Sequence, residues 1–149
     1  HRNGDIMKFT KTIFVLSLLS IVFFATACED KETEEATLLE FGSISGAVNF
    51  TGTWPDTGEV LITLDTQYPP MGPPAGFAFI TSIDIQNGVY NYSFSNLSFR
   101  DYSAITVTYW PQGYETAGTN YSLIGSYIET ISVTQNNAYL TIDIEATFN

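Results

Sequence analysis

From about residue 40 onward, apolar residues fall on alternate positions in short runs spaced roughly ten residues apart. In "ISGAVNF" the alternation puts Ile44, Val48 and Phe50 on one face, with Gly46 between them. "EVLITLD" offers Val60, Ile62 and Leu64, and "AGFAFITSI" sets Phe77 and Phe79 in phase. The strictest period of two is "VYNYSFSNL", where Tyr90, Tyr92 and Phe94 oppose Asn91, Ser93 and Ser95. "YSAITVTYW" is moderately apolar on both faces, as a central strand would be. "YSLIGSYIETISV" reads as one long or two short strands, and "AYLTIDIEATF" turns Leu140, Ile142 and Ile144 inward. Between the runs lie turn formers: "GTWPDTGE", "QYPPMGPPAG", "IQNG", "PQGYETAGTN" and "TQNNA". No window carries a helical period. The pattern predicts an all-β domain over residues 40–149, a single antiparallel Greek-key β-sandwich of about seven to eight strands.

The first part of the chain is organised differently. From Met7, Lys8 and Lys11 precede an apolar run, Ile13 to Phe24, that is shorter than the roughly 20 residues a membrane-spanning helix needs. The small residues Ala25, Thr26 and Ala27 follow, so residues 1–27 read as a signal peptide, with residues 1–6 preceding the start of translation. "ATAC" resembles a bacterial lipobox, and the resemblance implies that Cys28 becomes the lipidated first residue of the mature protein. The acids of "EDKETEE" make residues 28–39 a hydrated, self-repelling tether. They also resemble the export tag of surface lipoproteins of the Bacteroidota. That likeness implies an outer-membrane lipoprotein exposed at the cell surface, the alternative being a spacer that faces the periplasm.

Charge and composition narrow the chemistry. The formal charge is -11, and four of the five basic residues lie before residue 32. From Glu40 to the end there are ten acids and a single base, Arg100. Such a surface repels nucleic-acid phosphate and anionic lipid, so the lipid anchor is the expected route to a membrane. The same stretch holds neither histidine nor cysteine, which removes disulfides, imidazole bases and the usual transition-metal ligands. A serine nucleophile would lack its base. The acids are scattered, with Asp143 and Glu145 on a solvent-facing parity, so no catalytic residue and no cofactor is expected. Asp56 with Glu59 is the best oxygen pair for calcium, but no D-x-D-x-D loop accompanies it, and no metal is expected.

The stretch "YSFSNLSFRDY" resembles the signature of carboxypeptidase-regulatory-like, or prealbumin-like, β-sandwich domains. Their pattern is an aromatic, a leucine three residues on, a tight turn and a tyrosine opening the next strand. Phe94, Leu97 and Tyr102 fill those places, while Arg100 or Asp101 stands where the family has a glycine. The resemblance implies the fold but assigns no activity, because this scaffold hosts many roles.

If each strand crosses the sandwich once, alternate loops share an end. That end would gather Trp54, Asn87, Trp110, Gln112 and Tyr114, aromatic faces beside amides that suit a sugar ring. The leading expectation is a non-enzymatic, lipid-anchored structural or interaction module that meets another envelope protein. The alternative is a glycan-binding lipoprotein that uses the Trp54/Trp110 end.

Overall fold

The computed structural model describes residues 37–149 apart from Ala117, so the leader, Cys28 and most of the tether lie outside the described residues. Ten strands follow in order: β1 Gly42–Thr51, β2 Glu59–Asp65, β3 Gly76–Ile80, β4 Val89–Leu97, β5 Arg100–Tyr102, β6 Ala104–Trp110, β7 Ser122–Tyr127, β8 Ile131–Val133, β9 Tyr139–Thr141 and β10 Ile144–Thr147. The only helical turn among the described residues is a 3-10 turn at Ser82–Asp84. The domain is all-β, as the period of two predicts.

Eight strands make one sheet in the order β3-β2-β6-β7-β10-β1-β4, with β9 also beside β1. The sheet curls until its two edges approach. Gly76 on β3 lies so close to β4 that a Cβ there would stand 2.6 Å from the Phe94 ring. The small β5–β8 sheet adds Tyr102, Ile131 and Val133 to the core it shares with the curled sheet. Between these layers sits one core, formed by Val60, Ile62 and Leu64 of β2, Ile105 and Val107 of β6, Ile44 and Val48 of β1, and Tyr92 and Phe94 of β4. Each aliphatic side chain fully buried here contributes roughly 1.5–3 kcal/mol of transfer free energy.

The sheet is mixed, which corrects the expectation of a purely antiparallel one. β1 runs parallel to both β9 and β10, and the register is the same on either side of the gap between them. Parallel pairing needs a long crossover, and here nearly the whole domain supplies it. The strand count also exceeds the expected seven to eight. "YSLIGSYIETISV" divides between two sheets as β7 and β8, and the last run divides into β9 and β10.

The β9–β10 gap is built by particular residues. Gly46 on β1 lets the Ile142 carbonyl tuck against the strand, where a Cβ would stand only 1.8 Å from that oxygen. The Tyr92 hydroxyl donates to the same carbonyl at 2.6 Å. Asp143 fills the missing ladder position by accepting from the Ala47 amide at 2.8 Å. Burial, then the nearby Asp143 charge, raises the Tyr92 pKa, so its hydroxyl stays protonated and keeps donating.

Candidate functional site

Strands β2 and β6 bury both faces. Val60, Ile62 and Leu64 point into the core, while Leu61, Thr63 and Asp65 point outward yet are also shielded. Register pairs Leu61 with Thr108, Thr63 with Thr106 and Glu59 with Trp110. Of these, Leu61, Thr63, Thr106, Thr108 and Trp110, with Asp65, form the floor of a groove of about 270 Å³ on the outer face of the curled sheet. Strand β7 gives one wall through Leu123, and Tyr121 stands just before it. The proline-rich loop gives the other through Tyr68, Pro69, Pro70 and Pro74, with a cis bond between Tyr68 and Pro69. The loop is pinned at its base: the Ala75 amide donates to the Leu64 carbonyl at 2.7 Å and the Ser103 hydroxyl to the Thr66 carbonyl at 2.9 Å.

One end of the groove is aromatic. Trp110 stacks on Tyr121 with ring centroids 4.5 Å apart and planes at 28°. Tyr114 meets Trp110 edge-on at 5.0 Å. The Trp110 ring is almost covered, whereas Tyr121 and Tyr114 are 46% and 42% exposed, so the ring surface open to a ligand belongs mainly to the tyrosines. Glu59 holds this end in place by accepting from the Tyr114 amide at 2.6 Å. Phe79, exposed on β3, extends the aromatic surface with its ring 6.3 Å from Tyr114.

The other end is polar, and its hydrogen bonds have a direction. The Thr63 hydroxyl gives its single proton to the Asp65 carboxylate at 2.9 Å, so Thr106 must donate to Thr63 across their 2.8 Å contact. Thr108 accepts from the Trp110 indole at 2.8 Å, which leaves the Thr108 proton free for a ligand. Among the described residues nothing donates to Asp65 Oδ1. The groove thus offers a hydroxyl donor near its aromatic end and a carboxylate acceptor at the far end.

Asp65 is the one buried charged side chain among the described residues, at 4% exposure. Burial raises its pKa above the ordinary 3.8, and the Thr63 hydrogen bond offsets part of that rise. With its folded-state pKa above the unfolded one, the folded protein holds this proton more tightly. Stability therefore falls as pH rises through that interval and is recovered on acidification. Asp65→Asn removes the charge and keeps an acceptor for Thr63. At pH 7 it is expected to raise Tm. The gain should shrink as pH falls toward the ordinary carboxylate value. Thermal melts across the acid range check this; a gain that persists undiminished in acid contradicts it.

The structure sorts the five sequence-predicted ligand residues. Trp110 and Tyr114 line the groove, with Trp110 at the end of a strand rather than in a loop. Trp54 is near the same end of the domain but on the inner side, packed at 5.2 Å on Phe50 and 4.9 Å on Phe148 against the core. Asn87 occupies the β3–β4 turn with a positive φ of 53°, and Gln112 lies in the β6–β7 turn, where its carbonyl accepts from Thr116. Neither lines the groove. A wider depression of about 510 Å³ beside Trp54, lined also by Asp56, Glu59 and Phe79, is built largely from loops. Asp56 and Glu59 gain no third acidic partner there, and no cluster of metal-ligating side chains occurs among the described residues. Cys28 lies outside the described residues.

Sequence reasoning passed over Asp65, Thr63, Thr106, Thr108, Tyr121 and Tyr68. One signal was present: Leu61 in "EVLITLD" and Ala104 and Trp110 in "AITVTYW" put apolar side chains on the face opposite the core. Comparison of the chain with known protein families, with characterised proteins and with solved structures found no match.

Proposed function

We propose that this chain is a non-enzymatic, lipid-anchored protein of the cell envelope whose β-domain binds saccharide in the outer-face groove. The observation that carries the reading is the Trp110–Tyr121 stack beside a row of threonine hydroxyls on rigid strands. A sugar ring presents an apolar C–H face and a rim of hydroxyls, and this surface offers a partner for each. Strand-borne side chains need little ordering on binding, so more of the contact free energy appears as affinity.

The groove lining contains one carboxylate, Asp65. Glu59, on the same strand, is six residues away, about 20 Å along an extended chain. Glycosidase pairs stand within roughly 9.5 Å of each other, which favours binding over hydrolysis. Burial of Phe94, Leu97 and Tyr102 in the core supports reading the curled sheet and its β5–β8 flap as a sandwich of the prealbumin-like kind. The lipid anchor rests on "ATAC" and the preceding apolar run, and surface exposure on the acids after Cys28. A structural or interaction role toward an envelope protein is the second reading. It draws on the exposed Phe77 and Phe79 of edge strand β3.

Two measurements test the proposal. Mass spectrometry of the membrane fraction should find acyl chains on Cys28; a free thiol in a cytosolic chain contradicts the anchor. Titration with neutral oligosaccharides should change tryptophan fluorescence in the native protein. Tyr121→Ala should weaken that response about tenfold with little loss of stability. Silence across a broad panel removes the saccharide reading and leaves the protein-interaction one.

A further inference from the structure

The two ends of the groove differ in a way that specifies the ligand beyond its class. Leu61, Thr63 and Asp65 stand on alternate positions of one strand, so Asp65 lies about 13 Å beyond Leu61 and further still from Trp110. The ligand that spans this distance is a short oligomer rather than one ring. Its first unit lies on Tyr121 and Trp110, where Thr108 donates. A later unit reaches Asp65.

At that end the carboxylate is partnered on one oxygen only. Thr63 satisfies Oδ2, and β6 places the uncharged Ala104 directly opposite. The single basic residue of the described domain, Arg100, lies over the Tyr102 ring at 5.9 Å and does not line the groove. The unpaired oxygen is not sealed off but opens on the groove, so a cation that enters the groove can reach a carboxylate with no counter-ion of its own. A ligand ammonium supplies that cation through a charge-assisted hydrogen bond, roughly twice as strong as a neutral one. The acidity of the rest of the domain attracts the same cation from a distance and repels uronate or sulfated chains.

We infer that the groove selects a short amino-sugar oligomer, with the free ammonium seated on Asp65 and the apolar ring face on the Trp110–Tyr121 stack. This rests on the saccharide reading above and names the member of that class. Asp65 is then the residue that determines specificity, and Thr63 positions its carboxylate.

The test compares a β-1,4-linked glucosamine tetramer with its fully N-acetylated counterpart by calorimetry at physiological salt, using the native domain, Asp65→Asn and Thr63→Val. The native domain should bind the amine form about tenfold more tightly. Asp65→Asn should bring the two ligands within about twofold of each other while it still binds the acetylated form, and Thr63→Val should fall between. Equal affinities in the native domain overturn the inference, as does a tenfold preference that survives in Asp65→Asn, which would come from overall charge. In both cases binding of the acetylated tetramer would leave the saccharide reading standing. If neither tetramer binds, the amino-sugar inference falls, and the saccharide reading falls with it only if the wider panel of neutral oligosaccharides is silent too. Tetralysine binding as tightly as the glucosamine tetramer would overturn the saccharide as the source of the ammonium.

Discussion

Gly46→Ala is expected to cost roughly 4 kcal/mol or more, enough to leave little folded protein in mild urea. Alanine normally suits a strand interior better than glycine by roughly 0.5–1 kcal/mol, so propensity alone predicts the opposite sign. Here the added carbon would stand 1.8 Å from the Ile142 carbonyl oxygen and 3.1 Å from the Tyr92 ring. β1 cannot retreat, because it is laddered to β4 on one side and to β9 and β10 on the other. The C-terminal strand must move instead. That movement unmakes the Tyr92 and Asp143 hydrogen bonds and exposes Ile144 and Ala146. Gly72→Ala is the control, since a Cβ there meets nothing within 4 Å. Urea midpoints for the two variants should differ widely, and a Gly46→Ala midpoint at or above the native one contradicts the packing described for the β9–β10 gap.

The second large effect separates the two tryptophans. Trp110→Phe retains an aromatic ring against Leu61 but loses the indole donor to Thr108 and shrinks the surface under Tyr121. Saccharide affinity should fall about thirtyfold, corresponding to a hot-spot loss of about 2 kcal/mol. Trp54→Phe thins the cluster with Phe50 and Phe148, so it should lower stability and leave affinity within about twofold. Titrations and melts on both variants give a crossed pattern if the groove is the site. Affinity lost through Trp54 and not through Trp110 would move the site to the depression beside Asp56.

The strands were legible because a half-buried strand writes its inner face in every second residue. Tyr92, Phe94, Val60 and Ile62 are in the core where that alternation puts them. The parallel pairing of β1 with β9 and β10 was not legible, because it joins residues nearly a hundred positions apart and no local pattern encodes it. The groove was half legible. Alternation puts Thr63 and Asp65 on the face opposite Val60 and Ile62, but it does not say what covers that face. What covers them is the loop from Tyr68 to Pro74 folding back over its own strand, a tertiary event. Trp54 and Trp110 illustrate the same limit: strand parity brought them to one end but could not say on which side of the sheet each ring would pack.

The chain contains two tryptophans, so its indole N–H groups give two assignable signals in a nitrogen–proton correlation spectrum. Titration of the folded domain with a saccharide that binds it tests the central claim most directly. The outer-face groove requires the Trp110 indole signal to move with the amides of Thr63, Thr106 and Tyr121 while the Trp54 signal stays in place. Movement of Trp54 with Trp110 unmoved would show that the ligand sits elsewhere.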